Sequence, residues 1–305
     1  MRNIVAVPMA KISTFLAMAL AGCGAISANA QEYRILPSAA NAAVKQFDKP
    51  HMVIAPDKRS MDAPLAVFLP GSGGWGAGAP RMLNYISSRG YRAIGLSFVT
   101  LPSISQVCPR DPDPDCAADF REMRTYGTGD FTKRKNSYAD SIVGRLVDLL
   151  KHLDAEHPEE NWAQYLNGDQ PRWDRLVLTG QSQGGGMAAF IAKEHLVHRV
   201  VMFSPGWDIT GKPARLASWW SDPSVTPLDR YYGGFHKKEK TARLLDQVYS
   251  ALRVPEDYIV RFDLEMTKER AERAKRRESP NPYHTQGIGD PRYTKDWDML
   301  FGKAD

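Results

Sequence analysis

Leu176-Val177-Leu178-Thr179-Gly180-Gln181-Ser182-Gln183-Gly184-Gly185-Gly186-Met187-Ala188-Ala189 decides the fold. Arg175 to Thr179 reads as a strand buried on both faces, the kind found inside a parallel sheet. Gly184 to His195 reads as a helix rich in small residues. Between them lies Gly-x-Ser-x-Gly. Glycines on both sides allow a sharp, strained strand-to-helix turn that bulkier neighbours would block. Such a turn lifts the serine oxygen above the sheet at a helix N-terminus, where backbone N–H groups and the helix dipole favour developing negative charge. Ser182 is therefore the candidate nucleophile. The competing reading is a Gly-rich turn carrying a structural serine.

Upstream, Leu65-Ala66-Val67-Phe68-Leu69 is apolar throughout and predicts a second strand of the same buried kind. It ends in Pro70-Gly71-Ser72-Gly73-Gly74, a turn whose glycines let backbone approach a ligand closely. No Gly-Lys-Ser/Thr follows, which argues against a phosphate-binding loop. A helix over 80–89 stopped by Gly90 and a strand over 91–99 complete a βαβ unit, and hence a mainly parallel sheet. His51 to Ala55 is a further short strand. Residues 100–136, rich in Pro, Asp and Gly, form an insertion long enough to suggest a functional loop or lid. Apolar residues at 142, 143, 146, 149, 150 and 153 predict a helix with one buried face. Downstream the pattern predicts strands at 199–203 and 229–235, a helix at 241–252 and a final long strand at 257–264. The charge-rich helix over 268–278 reads as a solvated face.

Strand order, turn and Gly-rich loop together resemble the α/β-hydrolase superfamily over essentially the whole mature chain. More narrowly, Leu69 to Gly74, the Cys108/Cys116 insertion, Ser182 to Gly186 and Phe203-Ser204-Pro205-Gly206-Trp207-Asp208 resemble a group of exported bacterial α/β-hydrolase-like proteins. The resemblance implies an oxyanion hole built from the backbone N–H groups of Ser72 and Gln183, and a chain order of serine, acid, histidine. Gln181 departs from the histidine many relatives carry before the nucleophile. His51, His152 and His157 precede Ser182, and His195 and His198 sit where a helix C-terminus favours a cation. His236 and His284 remain, and His284, in a loop after the last strand, is the expected base. Glu239, in the loop after the 230–235 strand, is the first candidate acid. Asp208, one strand earlier, is the alternative, and Asp263 is third. His236 is then a wall of the site or a hydrogen-bond partner of the acid. The implied activity is hydrolysis of a small or polymeric carboxylic ester through an acyl-enzyme. A non-catalytic binding protein on the same scaffold, and a peptidase or acyltransferase, are the alternatives. Trp75, Trp207, Trp219 and Trp220 lie in loops near the expected site, where they either bind substrate or pack.

The N-terminus reads as a targeting segment. Arg2 and Lys11 precede an apolar run over 12–20 too short to span a bilayer. Leu20-Ala21-Gly22-Cys23 resembles a lipoprotein processing site, making Cys23 the lipidated residue and 1–22 the signal peptide. Cleavage after Ala28-Asn29-Ala30 is the alternative. A tether over 23–50 and one domain over 51–305 would follow. Either cleavage predicts export, to the periplasm or outer membrane or as a soluble secreted protein. Cys108 and Cys116 remain as an even pair, and an oxidising compartment predicts a disulfide between them. The 305 residues carry a net charge of +5, reduced to +3 without Arg2 and Lys11, which gives no reason to invoke nucleic acid. No second Cys/His pair sits at metal-ligand spacing and no cofactor motif is present, so none is expected.

Overall fold

The computed structural model describes residues 31–54, 61–211 and 213–304. The signal segment and Cys23 lie outside them. Eight strands form one sheet: β1 (Glu32–Ile35), β2 (His51–Ile54), β3 (Leu65–Leu69), β4 (Arg92–Gly95), β5 (Leu176–Gln181), β6 (Arg199–Phe203), β7 (Tyr231–His236) and β8 (Ile259–Phe262). Their order is β1-β2-β4-β3-β5-β6-β7-β8. β2 runs antiparallel to both its neighbours, and β3 to β8 pair in parallel. This is the α/β-hydrolase fold that the resemblance implied. The final strand is shorter than its apolar pattern suggested, and Asp263 falls just beyond it.

All of β3 is buried, and its side chains divide between two layers. Leu65, Val67 and Leu69 pack with Leu146, Leu149 and Leu150 of the helix Ile142–Glu156. Ala66 and Phe68 pack with Leu83 and Ile86 of the helix Pro80–Ser88 and with Trp297 and Phe301 of the helix Thr294–Phe301. Helices on both faces explain why the strand lacks alternation.

The expectation of a tether up to residue 50 is corrected. Tyr33 and Ile35 alternate with Glu32 and Arg34 to make β1 the sheet's edge strand, with its partly buried side facing the core. Residues 45–47 are then clamped. Asp140 Oδ1 accepts from the Lys45 and Gln46 N–H groups at 3.0 Å each, and Arg145 donates to Phe47 O at 3.0 Å. Among the described residues, no helix is long and apolar enough to cross a membrane.

His51, at the start of β2, is fully buried and accepts from the Ser97 N–H through Nδ1 at 2.9 Å. Burial first, then the charge of Arg145, lowers its pKa from 6.5 to about 3, against an opposing pull from Asp48. The unfolded chain therefore binds this proton more tightly than the folded one. Stability should fall as pH drops below 6.5, by up to about 1.4 kcal/mol per unit. Urea midpoints at pH 7 and 5 should show roughly 2 kcal/mol of wild-type loss that His51→Gln lacks.

The insertion is structured. Its helices span Ile104–Val107 and Cys116–Tyr126, and the Cys108–Cys116 disulfide joins them across a Cα separation of 5.7 Å. Both half-cystines belong to the larger core. Closing a loop of eight residues stabilises by about 2.5 kcal/mol in the chain-entropy model. Cys108→Ser/Cys116→Ser should lower unfolding free energy by about that amount, read from urea melts, and dithiothreitol should lower the wild type alike.

Candidate active site

Every element of the site lies at the C-terminal ends of the parallel strands, where α/β sheets present their ligand crevices. β5 ends at Gln181, and the helix Gln183–Glu194 starts two residues later. Ser182 between them has φ 53° and ψ −123°, a strained conformation for a residue with a side chain. Its backbone is fixed on both sides. The Ser182 N–H donates to Phe203 O at 2.9 Å, and its carbonyl accepts from the Gly206 and Gly186 N–H groups at 2.8 and 3.1 Å. A Cβ on Gly184 would stand 2.0 Å from Leu69 O, so only glycine lets the helix start so close to β3. Ser182 remains partly exposed while Gln181 and Gln183 are buried.

The Gly-rich loop after β3 closes in a tight turn, with the Gly74 N–H donating to Gly71 O at 2.9 Å and Gly73 at φ 75°. Ser72, at its tip, lines a narrow cleft of about 20 Å³ together with Ser182, Gln183 and Trp207. The insertion supplies Ser103, Ile104 and Ser105 as the opposite wall. Gln183 holds that wall in place. Its side chain donates to Thr100 O at 3.2 Å and accepts from the Ile104 N–H at 3.1 Å. The sequence pointed only to the backbone of Gln183, since its side-chain partners lie about eighty positions away.

Glu239 and His284 meet. His284 Nδ1 and Glu239 Oε2 are 2.7 Å apart. The Glu239 side chain is 1% exposed and the His284 side chain 18%. The second carboxylate oxygen accepts from the Ser204 hydroxyl and from the His236 backbone N–H. Ser204, at φ 43°, is a site residue the sequence reading missed, and it sits in the Phe203 to Asp208 segment already singled out. A carboxylate on Nδ1 fixes the neutral tautomer with the proton there and leaves Nε2 as the acceptor. The loop carrying His284 is held to the serine turn by Gln181, whose amide donates to His284 O at 3.3 Å. Trp207 packs its ring edge against His284 at 5.6 Å and also lines the cleft beside Ser182. Burial, then the negative charge of Glu239, keeps the Tyr249 phenol protonated well above its ordinary pKa, and it donates to Met202 O.

The alternative acids lie elsewhere. Asp208 is fully buried and receives two bonds from Arg121, at 2.6 and 2.7 Å, and one from the Trp219 indole N–H at 2.8 Å. It therefore fastens the insertion to the core. Gly186 is what admits Arg121, for a Cβ there would stand 2.3 Å from the guanidinium. Asp263 is exposed and paired with Lys237. The His236 ring accepts from the Lys238 N–H and contacts Leu264 O, so it meets the acid through its backbone alone. Trp219 and Trp220 stack on each other in the core, whereas Trp75 is 42% exposed. Among the described residues, His157, Glu159 and Glu160 bring metal-type ligand atoms within 4.8 Å, but both Glu160 oxygens already accept bonds, from Tyr33 and Trp162.

No family model and no curated protein matches the chain. Solved structures do. A 2,6-dihydroxy-pseudo-oxynicotine hydrolase is 14% identical with a TM-score of 0.43, over 90% of this chain and 70% of that one. A dienelactone hydrolase from Anabaena variabilis is 15% identical with a TM-score of 0.44, over 88% and 97%. An esterase from the archaeon Pyrobaculum calidifontis is 11% identical with a TM-score of 0.44, over 88% and 86%. Such likeness concerns the fold alone, and the activities in those names belong to those proteins.

Proposed function

We propose that this protein is a serine hydrolase that cleaves carboxylic esters through an acyl-enzyme on Ser182. The observation that carries the reading is the 2.7 Å contact of His284 with buried Glu239, in a loop that Gln181 ties to the strained strand-to-helix turn of Ser182. His284 Nε2 takes the proton of Ser182 Oγ as that oxygen attacks the ester carbonyl. The Ser72 and Gln183 N–H groups hold the oxyanion. Gln183 opens a helix, and the first N–H groups of a helix have no partner within it. His284 then gives its proton to the departing alkoxide. Water attacks the acyl-enzyme with His284 again as base, releasing the acid and restoring Ser182. Glu239 holds the imidazole in the required tautomer and stabilises the imidazolium.

Export as a lipoprotein anchored through Cys23 is part of the same proposal. The Cys108–Cys116 disulfide supports an oxidising compartment.

Fluorophosphonate labelling with mass spectrometry tests the catalytic reading. The adduct should fall on Ser182 and form at least about a hundredfold more slowly in His284→Ala. An unlabelled wild type would point to a binding protein on a hydrolase scaffold.

A further inference from the structure

The helix Lys268–Arg276 is inserted between β8 and the loop carrying His284, and the proposed chemistry makes no use of it. Arg270, Arg273 and Arg277 recur at i, i+3 and i+7, so they share one helix face. Arg273 and Arg277 are exposed on that face and Arg270 is half-buried. With Ser279 and Thr285 the face lines an open pocket of about 180 Å³. Its walls contain three guanidinium groups and two hydroxyls and no carboxylate.

Partners for these charges are scarce. Arg273 pairs with Glu269 one turn earlier at 2.5 Å. Arg270 is half-buried, and burial, together with the positive charges of Arg273, Arg81 and Arg292, lowers its pKa against the pull of Asp290. It also lines a second, adjoining cavity of about 300 Å³. There Arg292 is spent on Asp290, and Arg81 on Gly289 O. Asp290 is thus already bidentate with another arginine and compensates Arg270 only at a distance. A half-buried guanidinium lining a pocket beside two exposed ones is a site under-supplied with negative charge.

We propose that this cavity binds a phosphate-bearing anion, with Arg270 and Arg277 as its principal ligands and Ser279 and Thr285 as hydroxyl donors. Three arginine forks and two hydroxyls offer more donors than the two oxygens of a carboxylate can use, and a tetrahedral phosphate has the oxygens to match. Thr285 follows His284 directly, so an occupied cavity would brace the loop that carries that histidine.

Isothermal titration with pyrophosphate, and sedimentation with vesicles of phosphatidylglycerol in phosphatidylcholine, provide the test, both on the mature chain carrying Cys23→Ser so that no lipid anchor contributes. Arg270→Ala and Arg277→Ala are measured beside the wild type, with Arg270→Lys as the conservative change. Saturable pyrophosphate binding, weakened at least about tenfold in both alanine variants and partly kept in Arg270→Lys, establishes a site for a soluble phosphate. Vesicle binding alone, lost in the same variants, assigns the site to a lipid headgroup. Arg277 is exposed at the helix end, so its alanine variant keeps the test open if Arg270→Ala fails to fold. No binding in either arm, or equal binding by wild type and Arg277→Ala, overturns the proposal. None of these readouts depends on ester hydrolysis, so the hydrolase reading stands or falls separately.

Discussion

Ser182→Ala should lower kcat on an activated ester by on the order of 10⁴ or more and leave the fold intact, since the nucleophile is lost while its neighbours remain. A companion variant separates chemistry from stability. Ser182 holds φ 53°, where a residue with a Cβ is strained. Ser182→Gly relieves that strain and should raise unfolding free energy by about 1 kcal/mol while remaining inactive. Hydrolysis of p-nitrophenyl acetate and urea denaturation of the three proteins check both halves. A Ser182→Ala enzyme that turns over normally would end the acyl-enzyme proposal. A Ser182→Gly protein no more stable than wild type would show that the bonds to Phe203, Gly186 and Gly206 already absorb the strain.

The serine turn was legible because it is local. Strand, two glycines and small-residue helix sit within fourteen consecutive residues, and each carries its reason in its own side chain. Glu239 and His284 were reachable only through chain order, because forty-five positions separate them and no periodicity links them. The insertion over 100–136 was legible as a functional loop, but the contacts that tie it to the site were not. Arg121 finds Asp208 across 87 positions, and Gln183 finds Ile104 across 79. Nothing within reach of either residue announces such a contact. β1 was missed for a different reason. Its alternation lasts four residues, too few to stand out from polar surroundings, and becomes a strand only when β2 offers an edge. The 268–278 helix was legible as charged, but whether its arginines line a pocket depends on where the next loop returns.

Asp208 and Glu239 give the second large effect, because similar side chains in one shell should fail in opposite ways. Asp208 neutralises Arg121, whose side chain, like that of Asp208, is fully buried. Asp208→Ala leaves that guanidinium unpaired in the core and should cost about 3–5 kcal/mol of unfolding free energy. Arg121 also lies 4.8 Å from the Trp219 ring, an attraction too small to replace the ion pair. Glu239→Gln, by contrast, nearly preserves shape and bonding capacity but presents no charge to the imidazole. It should leave stability within about 1 kcal/mol and lower kcat by roughly 10³–10⁴, as expected when the orienting carboxylate of a triad is neutralised. Urea melts and ester turnover on both variants separate the roles. If Asp208→Ala is stable and inactive while Glu239→Gln is active, the acid has been misassigned. If Asp208→Ala loses stability, and Glu239→Gln loses rate alone, then one carboxylate anchors the insertion and the other serves the histidine. The insertion walls the cleft through Ser103 and Ile104. Weakening its anchor should therefore raise KM before it touches kcat, which is the reverse of the Glu239 signature.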